Sequence, residues 1–308
     1  AAAGNGRLVV TGCLAQREPG AVAMIDGVDL ILGNAEKAGL AERILREVGS
    51  PGEKPARTAA SIGTAALTRT AALTRTAALS RTAASIGTAA LTRTAAQIEV
   101  AADPTLPSFP GHGRARDGRR TRGVLKVQDG CDGTCGYCIV PSVRGASRSR
   151  PLDKIRDDVG RVAAAGYKEV WLVGVHLGSF GRDQQPATSL VDLLRNLDRQ
   201  PGDTTFRISS LEPMDCPPDV VDLVARSGRF APHFHLPLQH ASDHVLRAMR
   251  RPYTFEHYRD LVDRIHTRLP DASIGSDVIV GFPGESDHDA ELMAREVERM
   301  PFGYLHVF

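Results

Sequence analysis

From Arg122 to Phe308 the sequence alternates short β-branched runs with amphipathic stretches, and this alternation restricts the region to a parallel α/β architecture. VLKVQ (124–128), EVWLVG (169–174), FRISSL (206–211), HFHLPL (233–238), SIGSDVIVG (273–281) and YLHVF (304–308) read as strands. Between them, LDKIRDDVGRVAAAG, SLVDLLRNLDR, PDVVDLVARSG, stretches near 242–250 and 254–268, and DAELMAREVERM carry apolar residues at helical spacing. That makes six strand–helix steps, the last cut short, and predicts a parallel barrel or an open wound sheet. In either arrangement, function sits on the loops that follow the strand C-termini.

The rest of the chain has a different texture. Residues 1–52 read as a small α/β layer: RLVVTG and VDLILG are strands, and AEKAGLAERILREV is a helix. RTAASIGTAALT at 57–68 recurs at 81–92, and arginines at 57, 69, 75, 81 and 93 mark a six-residue unit. A helix turns about 240° in six residues, so this unit builds no apolar stripe, and the stretch reads as a low-complexity linker. The expected domain limits are therefore 1–52, 53–121 and 122–308. With 308 residues, 42% of them hydrophobic, and no apolar run of spanning length, a membrane-embedded chain is not expected. The N-terminus shows no charged-then-apolar leader, so no secretory signal is expected either. The net charge of +2 says little, but its distribution says more. HGRARDGRRTR (112–122) holds five arginines, and Arg144, Arg148 and Arg150 follow the cysteines. These read either as solvated linkers or as a basic lip for phosphate backbones.

Three of the five cysteines lie within eight residues, in VLKVQDGCDGTCGYC, whereas Cys13 and Cys216 stand alone. A disulfide framework would spread pairs along a short secreted chain, so this pattern points to metal chemistry in a reducing compartment. Cys131, Cys135 and Cys138 form CxxxCxxC just after the first strand of the repeat. Soft thiolates suit an iron–sulfur cluster or zinc. Three ligands leave one iron of a cubane open for chemistry, whereas structural zinc needs a fourth ligand, which His176, His233, His235 or His240 could supply. Gly130, Gly133 and Gly136 favour a tight loop with either metal. Cys216, before two prolines, reads as a small packed residue.

The CxxxCxxC spacing after a first barrel strand, with Tyr137 before the last cysteine, resembles the radical S-adenosylmethionine (SAM) superfamily. The resemblance covers residues 122–308 and implies a partial (β/α)6 barrel. It also implies a 4Fe–4S cluster on Cys131, Cys135 and Cys138 whose open iron binds SAM, and a 5′-deoxyadenosyl radical that abstracts hydrogen. It adds candidate SAM contacts at Tyr137, Gly174, Ser210, Glu212, Gln239, Ile279 and Gly281, with His240 beside Gln239. The family's glycine-rich motif is not literal in LVGVHLGSFG (172–181), where Gly174 has the alternative of a plain turn. Ser210 and Glu212 have the alternative of capping a helix.

VVTGCLAQREP, with Cys13, resembles the third cysteine motif of the methylthiotransferase N-terminal domain, whose three cysteines hold a second 4Fe–4S cluster. GVHLGSFGRD, RISSLEP, MRRPYTFEHY, SDVIVGFPGE and LHVF look most like the threonylcarbamoyladenosine tRNA methylthiotransferases. The implied reaction replaces the adenine C2 hydrogen of the modified nucleoside beside the anticodon with a methylthio group. Implied partners are tRNA and an electron donor such as flavodoxin or ferredoxin, in the cytoplasm. Alternatives are the isopentenyladenosine tRNA enzyme, the ribosomal-protein aspartate enzyme and, outside catalysis, a zinc-stabilised RNA-binding module. The family pattern also leads us to expect a fragment, with two cluster ligands upstream of Ala1 and an RNA-binding TRAM domain beyond Phe308. Such a fragment would bind one cluster and would not methylthiolate tRNA.

Overall fold

The computed structural model describes residues 8–34, 97–99 and 122–308. The helix expected at 35–48, the repeat, and the arginine run before Arg122 lie outside the described residues.

The six expected strands of the larger region form as β4 (Arg122–Lys126), β7 (Glu169–Val173), β8 (Thr205–Ile208), β9 (His233–His235), β10 (Ser273–Val278) and β11 (Tyr304–Val307). All neighbours run parallel: β4–β7–β8 form one ladder and β9–β10–β11 another. The two ladders are joined by bridges at Phe206–Phe230 and Ser210–His235, so spatial order follows sequence order. The result is the wound, open α/β sheet expected of a partial barrel.

Local rules account for the helices that cover one face. Ser189 caps Leu190–Asp198 by accepting from the Asp192 amide, and that helix buries Leu190, Leu193, Leu194 and Leu197 at helical spacing. Burial of each such leucine contributes roughly 1.5–3 kcal/mol. Leu152–Ala164 ends at Gly166, whose φ of 89° gives the left-handed turn that the sequence anticipated. Ser286 and Asp289 form a capping box at the start of Asp287–Arg299. The strands send Val170, Leu172, Phe206, Ile208, Phe234, Ile274 and Val278 into the shared core. Alternate residues therefore face the other way, and there Glu169 accepts from Trp171 Nε1 at 2.8 Å and pairs with Arg207 and Arg122.

The N-terminal unit has three parallel strands in the order β1 (Leu8–Thr11), β2 (Val28–Leu32), β3 (Gln97–Glu99). Helices Cys13–Arg17 and Pro19–Ala23 lie between β1 and β2. Strand β3 belongs to the stretch read from sequence as linker, so this unit takes up residues well past 52. Gln97, Ile98 and Glu99 hold a single apolar residue, too short a run to signal a strand. The Cys13–Arg17 helix packs against the helix Val140–Arg144 of the larger unit. Asn34 reinforces this contact by donating from Nδ2 to the Val143 carbonyl at 3.1 Å.

Candidate active site

The cysteine loop leaves the C-terminal end of β4 through Val127 and the two-residue strand β5 (Gln128–Asp129), which pairs with β6 (Arg148–Ser149). The fully buried Gln128 organises the loop. Its Nε2 donates to the Gly130 carbonyl at 2.8 Å and to Ser147 Oγ at 2.9 Å, and its Oε1 accepts from the His176 amide at 2.8 Å. Gly130 has φ 73°, and a Cβ there would lie 1.9 Å from the Ala146 carbonyl oxygen, so the turn requires glycine. The Cys131 amide then donates to the Gly145 carbonyl, and the Gly136 amide to the Met249 carbonyl, which pins both ends of the loop.

Each of the first two thiols meets an N–H donor. Cys131 Sγ lies 3.2 Å from the Gly133 amide and 3.6 Å from His176 Nδ1. His176 Nε2 in turn contacts Asp215 Oδ2 at 2.6 Å, and Arg182 holds the other Asp215 oxygen. This bond to Asp215, then the one to Cys131, raises the His176 imidazole to about 10, so it is a cation at neutral pH. The contact with His176 holds the Cys131 thiol below its ordinary range, whereas burial pushes the Cys138 thiol up. Cys135 Sγ accepts from Arg251 Nη1 at 3.2 Å, and Arg251 also contacts Tyr137 Oη at 3.3 Å and pairs with Glu212. A glycine separates the thiols: a Cβ on Gly133 would stand 3.1 Å from Cys131 Sγ and 4.0 Å from Cys135 Sγ.

Three of the expected residues thus converge: Cys135, Tyr137 and Glu212 share Arg251. Gln239 and Ile279 are also neighbours, since the Ile279 amide donates to the Gln239 carbonyl at 2.8 Å and Gln239 adopts φ 65°. Gly281, at φ 72°, faces open space at the end of β10. Ser210 is exposed and bridges to His235. Gly174 packs against Gln128, where a Cβ would fall 2.9 Å from Oε1, which accounts for the glycine by close packing. Glu212 precedes a short 3-10 turn but makes no side-chain cap, so its role is the pair with Arg251.

His240 is fully buried and accepts from the Ser242 amide at Nδ1, while its Nε2 has no hydrogen-bond partner among the described residues and lies 3.5 Å from Glu285. Cys216 is buried too, and burial pushes its thiol to about 12. Arg144 pairs with Asp129, Arg148 donates to the Ala146 and Arg144 carbonyls, and Arg150 forms a buried pair with Asp158. Arg144 and Arg150 are thus paired with carboxylates, whereas among the described residues the half-buried Arg148 meets only backbone carbonyls of its own loop. The sequence reading missed Arg251, Asp215 and Gln128. Within MRRPYTFEHY nothing local marks an arginine that will meet a thiol on another loop.

A parallel strand–helix repeat whose first strand delivers three cysteines to the strand ends, with donors aimed at the thiols, defines a cluster-binding enzyme core. The chain belongs to the radical SAM superfamily, whose family profile matches residues 125–297. It is 31% identical over 307 residues to the threonylcarbamoyladenosine tRNA methylthiotransferase MtaB of Bacillus subtilis, covering 99% of this chain and 58% of that protein. MtaB of Thermotoga maritima is 40% identical over 190 residues, 61% of this chain and 43% of that protein. A tRNA-2-methylthio-N(6)-dimethylallyladenosine synthase of Carboxydothermus hydrogenoformans is 38% identical over 170 residues, 55% of this chain and 39% of that protein. The chain thus spans about half the length of the curated relatives it matches. Among solved structures, the radical SAM methyltransferase TsrM of Kitasatospora setae shares the fold at a TM-score of 0.51 and 18% identity, covering 60% of this chain and 36% of that one.

Membership brings a 4Fe–4S cluster and SAM, and it decides against the zinc module. The donor set fits. Three cysteines on one loop, two of them met by cationic N–H groups, suit a thiolate cluster with one iron left for SAM. His233, His235 and His240 are engaged elsewhere, and His176, with Nε2 on Asp215, turns Nδ1 to Cys131 Sγ as a donor to the thiolate.

Proposed function

We propose that this chain is the radical SAM core of a tRNA methylthiotransferase that acts at C2 of N6-threonylcarbamoyladenosine next to the anticodon. The observation that carries this reading is the similarity to the Bacillus subtilis MtaB over 99% of this chain and 58% of that protein, which takes in the Cys13 segment as well as the cysteine loop. The packing of the Cys13 helix on Val140–Arg144, two residues after Cys138, supports it by placing the two cysteine motifs in adjoining elements. An aromatic C–H bond resists acid–base attack, and the cluster, when bound, supplies the electron that cleaves SAM.

On this reading Cys131, Cys135 and Cys138 hold that cluster, while His176 and Arg251 orient its thiolates. Tyr137, Ser210, Glu212, Gln239, Ile279 and Gly281 lie near SAM, and Cys13 is one ligand of a second 4Fe–4S cluster. Cys13 is the single cysteine in residues 1–121, so these 308 residues supply one of the three ligands that cluster needs. A flavodoxin or ferredoxin donates the electron, and the tRNA substrate places the protein in the cytoplasm.

The test is mass spectrometry of tRNA nucleosides from cells lacking the parent gene. Loss of 2-methylthio-N6-threonylcarbamoyladenosine, with its unthiolated precursor retained, is expected. Loss of the methylthio-dimethylallyl nucleoside instead would move the assignment to the other tRNA enzyme, and an unchanged nucleoside profile would reject both.

A further inference from the structure

His235, Asp277 and His306 come from three adjacent strands, β9, β10 and β11, and have no part in the function proposed above. The parallel register pairs His235 with Gly275 and Asp277 with His306, so all three side chains project from the same face. That face lies opposite Phe234, Ile274, Ser276 and Val278, which are buried and, through Ser276 and Tyr258, tied to the helix Phe255–Arg268. His235 Nε2 lies 3.1 Å, and His306 Nδ1 2.9 Å, from the same oxygen, Asp277 Oδ1. Within the trio one ligand atom from each residue falls inside a 4.8 Å span.

The second nitrogen of His235 is also held. Tyr304 Oη lies 3.0 Å from His235 Nδ1 and 3.0 Å from His233 Nε2, and the Tyr304 ring stacks on both imidazoles. Gly275 makes room for this, because a Cβ there would stand 2.0 Å from the ring carbon that bears the hydroxyl. A histidine fixed through one nitrogen by a hydroxyl, with its other nitrogen aimed at a carboxylate oxygen and a second imidazole, has the outer support typical of a metal ligand.

We propose that His235, Asp277 and His306 form a binding site for a divalent first-row transition cation, separate from the cysteine cluster. Two imidazoles and one carboxylate suit zinc or ferrous iron and leave at least one coordination position open. Metal bonds of about 2.0–2.1 Å place neighbouring tetrahedral ligands roughly 3.3–3.4 Å apart, so the two imidazole–carboxylate separations need widen by only a few tenths of an ångström, while the two imidazole nitrogens start within 4.8 Å of each other. His306 is well exposed, which leaves the cation a route in from solvent.

The test uses the full chain with its cysteine cluster already loaded, dialysed against zinc(II), with zinc counted per chain and its ligands read by X-ray absorption. One equivalent of zinc in a nitrogen–oxygen shell is expected, bound at least ten-fold more weakly by His306→Ala and by Asp277→Asn. His306 is on the surface, so its alanine variant keeps the fold. Zinc uptake unchanged in His306→Ala, a shell containing sulfur, or no zinc above background would overturn the proposal and leave the trio as a hydrogen-bonded cluster only.

Discussion

Arg251 donates from Nη1 to Cys135 Sγ at 3.2 Å, although 116 positions separate the two residues in sequence. The same guanidinium pairs with Glu212, so its removal leaves a carboxylate facing a thiolate. Arg251→Ala is expected to lower iron retention by about 10–100-fold, measured as iron per chain against a competing chelator. Arg251→Lys, which keeps the charge but loses the fork, should fall between the two. Equal retention in all three proteins would remove Arg251 from the account of the site.

The chain of contacts from Cys131 through His176 to Asp215 makes a different prediction. Gly178 faces Asp215 so closely that a Cβ would sit 2.1 Å from the Asp215 Cβ. Gly178→Ala should therefore displace the carboxylate, and Asp215→Asn should remove its charge in place. Each change weakens the cationic N–H donor at Cys131, and fewer or weaker N–H···S bonds destabilise the reduced cluster. Both variants should keep their iron but show a more negative midpoint potential in an electron paramagnetic resonance titration. A potential equal to that of the parent would contradict this.

Cysteine substitutions separate ligands from packing. Cys138→Ser is expected to lose the cluster. Cys216→Ser should retain the parent's iron while costing about 1–3 kcal/mol of stability, because it buries a hydroxyl in the hydrophobic core. Loss of iron in the Cys216 variant would show that its thiol does more than pack.

How much of this was legible beforehand depends on how local each signal is. The six parallel strands β4 and β7 to β11 followed from short apolar runs between turn residues, and the Leu190–Asp198 helix from its leucine spacing, because both are short-range patterns. The three cysteines were legible for the same reason. Gln97–Glu99 was not, since its strand character comes from pairing with Leu30–Leu32. Arg251 and Asp215 were not legible either, because their chemistry arises only when the strand ends bring separate loops together. Arg144, Arg148 and Arg150 carried a charge signal without its meaning. Only the fold shows that Arg144 and Arg150 are paired with Asp129 and Asp158, while Arg148 reaches backbone carbonyls.

Asp289 gives a pH-dependent prediction. Its carboxylate accepts from Ser242 and from the Ser286 amide and hydroxyl, and these bonds hold it well below the ordinary carboxylate range. A carboxyl depressed in the folded state stabilises the fold above its unfolded value of about 3.9, and this stabilisation fades as pH falls through that range toward the folded value. The urea midpoint of the parent should exceed that of Asp289→Asn at neutral pH, and the gap should close under acid. A gap independent of pH would mean that the carboxylate is not the stabilising form.

The central claim is that Cys131, Cys135 and Cys138 form the radical centre of a SAM-cleaving core, and the most direct measurement is 5′-deoxyadenosine released from SAM. The anaerobically reconstituted chain, given a strong reductant, should release it, and Cys135→Ala under the same conditions should release none. Equal release from the two proteins, or none from the parent with its iron in place, would contradict the account.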